Sequence, residues 1–257
     1  MTITANVVSA NPITNTATIS GSDLIDTDLT NNTASATVTP QILHPTLTLS
    51  ASPAGGQTYP GNVTLTAKLS GAFPLDGQTI TFSANGSTHT ETTGASGEAT
   101  YTITNPSPAG YSFGATFAGD ANNAPATAQD IAGYIVSKAM PDMNLTATGG
   151  DYSNNSITLT ATVGAGVMLG QAYKPAPTGT ITFKEGDATL ATVPLDDSGV
   201  ATYTVPSLID TGNHTCSATY SGDDNFNANS ASATVDVTPY LSVSPNELCH
   251  LFFIRNK

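Results

Sequence analysis

Basic side chains are scarce in this chain: six Lys plus Arg stand against nineteen Asp plus Glu in 257 residues, a formal charge of −13. Nucleic-acid binding needs clustered cations to neutralise phosphates, and no cluster exists, so that function is excluded. Attraction to an anionic membrane surface fails for the same reason. Tryptophan is absent and there are two cysteines, too few for a disulfide scaffold. Cys216 falls in a strand-like run and Cys249 in a divergent tail, so no pairing between them is expected. The longest apolar cluster, Leu251-Phe252-Phe253-Ile254, is far too short to span a bilayer, and membrane insertion is not expected. Met1 to Ala5 lacks the basic start and apolar run of a signal peptide, which suggests an internal piece of a longer chain.

Catalytic patterns are missing too. The chain has no G-x-S-x-G elbow, no H-E-x-x-H, no P-loop and no paired C-x-x-C. The four histidines (His44, His89, His214, His250) are scattered. Enzyme activity is not expected.

What the chain has instead is Thr, Ser, Asn and Ala, with 23 Gly and 16 Pro as punctuation. Thr is β-branched and favours strands, while strong helix formers are sparse and no run shows apolar positions at helical spacing. The chain reads as all-β. Four blocks then recur in the same order, about 100 residues apart. Val63-Thr64-Leu65-Thr66-Ala67 returns as Ile157-Thr158-Leu159-Thr160-Ala161, and Thr79-Ile80-Thr81-Phe82 as Thr180-Ile181-Thr182-Phe183. Ser96-Gly97-Glu98-Ala99-Thr100-Tyr101-Thr102 returns as Ser198-Gly199-Val200-Ala201-Thr202-Tyr203-Thr204, and Ala115-Thr116-Phe117-Ala118-Gly119-Asp120 as Ala218-Thr219-Tyr220-Ser221-Gly222-Asp223. Tandem duplication accounts for this order.

Each copy supplies about seven strand-like runs with period-two alternation, the pattern of a two-sheet sandwich. In copy two the runs lie near 143–148, 156–163, 179–184, 188–193, 199–205, 214–221 and 230–238. Ile157, Leu159, Ala161 and Val163 share a face that should be buried, with Thr158, Thr160 and Thr162 on the other. In copy one the expected core is Val63, Leu65, Ala67, Ile80, Phe82, Tyr101, Ile103, Phe113 and Phe117. Cys216 aligns with Phe113 as a buried thiol, and His214 with Tyr111 near the start of the sixth strand, so both read as structural. Lys68 and Lys184 alternate with core positions and should point outward, which argues against isopeptide cross-links.

The run Tyr220-Ser221-Gly222-Asp223-Asp224-Asn225-Phe226, followed by Ser230-Ala231-Ser232-Ala233-Thr234-Val235, resembles the bacterial Ig-like repeat of large surface proteins and adhesins. Phe117 to Asn123 is a second copy, with Asn123 where an aromatic is usual. The resemblance covers residues 44–239 and implies tandem immunoglobulin-like Greek-key β-sandwiches, an extracellular or cell-surface setting, and no catalytic residues. The expected division is 41–139 for the first module and 140–239 for the second, with a truncated or divergent tail over 240–257. Residues 1–40, with Asn15 to Ser20 and Asn31 to Val38, look like the closing strands of another surface-protein repeat whose first strands are missing.

Two features of copy two invite binding. In this fold the loops after the second, fourth and sixth strands gather where the chain enters. Those loops hold Asp196, Asp197, Asp223, Asp224 and Asn225, and the preceding linker adds Asp142. Calcium takes six to eight oxygens, and converging carboxylates would supply them. The alternative is turn chemistry, because Asp and Asn cap turns through their own backbones. No cofactor other than calcium is suggested. Second, the loop from Gly164 to Pro177 has about fourteen residues where copy one has about eight. Met168, Leu169, Tyr173 and Lys174 on it are candidate ligand-binding residues, or would pack against the preceding module. The leading expectation is a structural spacer whose partners are neighbouring Ig-like modules in a longer chain. The alternative is an adhesin-type module recognising a host protein or glycan through loop 164–177.

Overall fold

The computed structural model describes residues 11–21, 23–39, 41–72, 74–151, 154–164, 176–205 and 211–238. Among the described residues, all regular structure is β apart from one 3-10 turn at Leu29–Asn31. Two compact units divide between Val136 and Ser137, with Thr58–Pro60 grouped with the second.

The first strands, β1 (Ile13–Thr18) and β2 (Thr33–Val38), form a two-stranded antiparallel sheet of their own. The first sandwich follows, with β3 (Thr46–Ser52), β4 (Gln57–Thr58), β5 (Val63–Ser70), β6 (Thr79–Ala84), β7 (Ser87–Thr92), β8 (Glu98–Ile103), β9 (Ala109–Phe117), β10 (Ala126–Thr127) and β11 (Ile131–Ser137). One sheet has the order β3-β5-β8; the other has the order β4-β11-β9-β6-β7, with β10 on β9. The second unit repeats the plan with β12 (Asp142–Asp151), β13 (Asn154–Gly164), β14 (Thr180–Glu185), β15 (Ala188–Pro194), β16 (Val200–Val205), β17 (Gly212–Tyr220) and β18 (Asn229–Val237). Its sheets are β12-β13-β16 and β15-β14-β17-β18. The chain therefore changes sheet between β13 and β14, between β15 and β16, and between β16 and β17. Both units are immunoglobulin-like sandwiches.

Alternation along the strands explains why two layers form. Val63, Leu65, Ala67 and Leu69 on β5 are fully buried, as are Leu159 and Ala161 on β13, while the intervening threonines face outward. The outer face carries hydroxyl pairs across strands, Thr64 with Thr102 at 3.1 Å and Thr158 with Thr204 at 3.3 Å. Phe82, Phe113 and Phe117 fill the first core and Phe183, Tyr220 and Phe226 the second. Tyr101 and Ile103, expected in the first core, are only half-buried, because β8 is the outermost strand of a three-stranded sheet.

The recurring Ser-Gly pair has a backbone cause. Gly97 and Gly199 both have φ in the left-handed region, at +78° and +75°. A Cβ there would meet the carbonyl oxygen of Leu69 at 2.4 Å and of Val163 at 2.5 Å. Only glycine fits a turn that doubles back this closely on the adjoining strand.

Candidate functional site

The distinctive end of each sandwich is where the chain enters, and its geometry is set by the loop after the sixth strand. In the first unit that loop begins at Asp120. Its Oδ1 accepts the backbone amides of Asn122 at 2.7 Å and Asn123 at 2.8 Å. The Asn123 amide group lies 2.9 Å from each carboxylate oxygen. In the second unit Asp223 Oδ1 accepts the amides of Asn225 and Phe226, both at 2.8 Å. Its Oδ2 accepts from the Thr178 amide at 2.8 Å and the Thr178 hydroxyl at 3.0 Å. Burial pushes the Asp223 carboxyl up, but these amide bonds outweigh it and hold the group below the usual carboxylate range. Asp120 is lowered in the same way against the same opposition.

Each turn in turn grips the incoming linker. The Leu43 amide donates to the Asn122 carbonyl at 2.9 Å and the Ala124 amide donates to the Leu43 carbonyl at 2.8 Å. In the second unit Ala139 donates to Asn225 at 3.0 Å and Asn227 donates to Ala139 at 2.8 Å. These are the same short parallel bridge, Leu43 with Asn123 and Ala139 with Phe226. The second unit adds more: Lys138 Nζ donates to the Asp223 carbonyl at 2.6 Å, and Asn229 Nδ2 donates to the Pro141 carbonyl at 2.8 Å.

In the second unit the described residues that flank the three expected loops are hydrogen-bonded to one another. Thr178 bonds Asp223, the Leu195 amide donates to Gly179 at 3.0 Å, and Val163 donates to Gly199 at 2.9 Å. Within that cluster the acidic residues act separately. Asp196 Oδ1 closes its own turn by accepting the Ser198 and Val200 amides at 2.8 and 2.9 Å. Asp197 and Asp224 are exposed, Asp142 is the exposed first residue of β12, and Asn225 is half-buried. Among the described residues no three His, Cys, Asp or Glu side chains converge to hold a metal ion. Asp223 has both carboxylate oxygens engaged by loop donors, and Asp196 has one engaged by its own turn. Met168, Leu169, Tyr173 and Lys174 lie outside the described residues.

The structure also shows pairings that sequence alone does not. Tyr111 Oη donates to the Ser107 carbonyl at 3.0 Å, reaching back from the start of the sixth strand as Ig-like corner tyrosines do. His214, at the equivalent place, instead meets the Glu185 carboxylate through Nδ1. Glu185 ends β14 opposite Cys216, so only the strand register reveals the pair. Cys216 is buried, and burial together with the nearby Glu185 charge raises its thiol pKa.

Residues 145–238 match the bacterial Ig-like domain (group 3) family. No curated protein matches the chain. Among solved structures, a Ca2+-stabilized adhesin that helps an Antarctic bacterium reach out and bind ice is 18% identical, with a TM-score of 0.35; the match covers 81% of this chain and 54% of that one. Fibronectin(III)-like modules of Clostridium thermocellum CbhA are 17% identical, with a TM-score of 0.30, over 75% of this chain and 95% of theirs. A two-domain fibronectin type-III segment of chicken tenascin is 13% identical, with a TM-score of 0.36, over 73% and 97%. This chain thus spans 54% of the length of the first of them.

Proposed function

With a bacterial Ig-like domain over residues 145–238 and a sandwich of matching topology ahead of it, we propose that the chain is a non-catalytic spacer in a secreted or cell-surface protein. One observation supports this reading best. In both units the incoming linker is hydrogen-bonded to the sixth-strand turn of the sandwich it enters. A linker fixed at its downstream end has fewer free torsions than an unattached one, which is what a spacer needs. The Thr-rich outer faces keep the sandwiches hydrated without a dense charge field.

The test is the width of an inter-module distance distribution, measured by pulsed electron spin resonance with one label on each sandwich of the full chain. Ala139→Pro removes the amide that donates to Asn225. The spacer reading expects a narrow distribution that broadens in the variant while far-ultraviolet dichroism is unchanged. An equally broad distribution in both chains would defeat it. The adhesin reading rests on the longer loop 164–177 of the second copy; deleting that loop should then abolish attachment to a host protein or glycan, whereas a spacer would keep its distribution.

A further inference from the structure

The β1–β2 hairpin has an unfilled side. Ile13, Asn15, Ala17, Ala34, Ala36 and Val38 share one face by register, and Thr14, Thr16, Thr18, Thr33, Ser35 and Thr37 share the other. The second face is finished: Thr14 meets Thr37 at 2.8 Å and Thr16 meets Ser35 at 2.9 Å through their hydroxyls. The first is apolar yet open to solvent, with Ile13 43% exposed and Val38 56%; Ile19, which follows β1, is 59% exposed. An isolated two-stranded hairpin is at best marginally stable in water.

The closing hairpin of the second unit shows what is missing. Ala17-Thr18-Ile19-Ser20-Gly21-Ser22-Asp23 matches Ala218-Thr219-Tyr220-Ser221-Gly222-Asp223-Asp224, and Ala34-Ser35-Ala36-Thr37-Val38 is identical to Ala231-Ser232-Ala233-Thr234-Val235. The pairings coincide as well. Ile13↔Val38, Asn15↔Ala36 and Ala17↔Ala34 correspond to His214↔Val235, Cys216↔Ala233 and Ala218↔Ala231. Register follows side-chain pattern and turn, so this coincidence fixes which face belongs inside. On β17 that face is closed: Cys216 is 2% exposed, and Ala218 and Tyr220 are fully buried. Two things close it, namely the sheet β12-β13-β16 in the opposite layer and β14 along the free edge of β17.

We propose that residues 13–38 are the closing hairpin of a further Ig-like module, and that their apolar face takes the preceding strands of that module, a sheet of the β12-β13-β16 kind with a β14-like strand along β1. The occupant is apolar and β-branched on its inward face, and it belongs to the same polypeptide, because in the second unit every strand that closes the hairpin precedes it. This inference does not depend on the spacer reading, since an adhesin array would need the same completion.

A transplant within the full chain tests it. His214–Val235 is replaced by Ile13–Val38, and a second variant adds Ile19→Tyr and Ser22→Asp inside the transplanted segment to restore the buried aromatic and the turn carboxylate. The expected result is that the second unit still unfolds cooperatively at a lowered melting temperature, with much of the loss recovered in the second variant. Failure of both variants to fold the second unit, with the first unit melting as in the parent, overturns the equivalence. On the unaltered chain, sedimentation should show a monomer whose amides from Thr14 to Thr18 exchange quickly. A dimer with those amides protected would make a second copy the occupant and overturn the proposal.

Discussion

Replacing Asp223 by Ala removes one carboxylate and four donors' partner at once: the amides of Asn225, Phe226 and Thr178, and the Thr178 hydroxyl. A hydrogen bond to a charged group contributes about 1.5–3 kcal/mol net in a protein interior. This end of the sandwich is half-buried, so freed amides can turn to water, and the four bonds will not sum. A loss of about 2–3 kcal/mol is expected, because the loop still carries Phe226 into the core while its turn is undone. A unit of this size loses about 4–8 °C per kcal/mol, so the second unit's transition should fall by roughly 10–20 °C in calorimetry of the full chain. The exposed neighbour Asp224 is the control, and Asp224→Ala should change stability by no more than about 0.5 kcal/mol. The pH dependence has a definite sign. The folded Asp223 carboxyl sits below its ordinary value, so its contribution is fully present above the unfolded pKa, about 3.9. That contribution is lost as pH falls through the lowered folded pKa. The gap between parent and Asp223→Ala should therefore be constant near neutrality and close under strongly acidic conditions. Equal melting of the Asp223 and Asp224 variants at pH 7 would refute the turn assignment.

Four further outcomes are expected. Gly199→Ala forces a left-handed φ on Ala and drives Cβ toward the Val163 carbonyl, and should cost about 2–4 kcal/mol in denaturant unfolding. Gly186→Ala, also at positive φ but with open space around it, should cost only about 1–2 kcal/mol. Cys216 should resist a thiol-specific maleimide in the native chain and react only on unfolding, because burial and the Glu185 charge both disfavour its thiolate; rapid native labelling would contradict this. The melting temperature should be the same in calcium and in EDTA, since Asp196 and Asp223 already hold backbone amides; a rise of several degrees in calcium that is lost in Asp224→Ala would instead assign a native cation site.

Much of the fold was legible because period-two alternation is a direct image of a two-layer core. Each of the seven runs expected in the second copy lies within a few residues of an observed strand, and the face of Ile157, Leu159, Ala161 and Val163 is the buried one. Tyr101 and Ile103 were misplaced because alternation reports which face a residue is on, and not how far its strand lies from the middle of the sheet. The acidic loops were legible as a location only. Spacing along the chain brings Asp196 and Asp223 to one end, but whether carboxylates point at each other or at their own amides is decided by φ and ψ inside each turn. The His214–Glu185 pair was hidden for a related reason: its partners are 29 residues apart and meet only through the register of β14 against β17.

The two copies show which properties the fold requires and which it leaves free. Asn123 and Phe226 occupy the same bridge to the incoming linker, and both are 1% exposed. A buried aromatic contributes by area and needs no polar partner at that end. A buried carboxamide is costly unless its donors are used, and Asp120 supplies both oxygens to the Asn123 side chain. In the second unit, where no such amide must be satisfied, the corresponding Oδ2 of Asp223 reaches Thr178 instead. In both units the first oxygen of this aspartate closes the turn, while the second reaches the Asn123 amide in one and Thr178 in the other. Asp120 thus compensates for the polar Asn123, and the main-chain bridge to the linker, Leu43 with Asn123 and Ala139 with Phe226, is the same in both units.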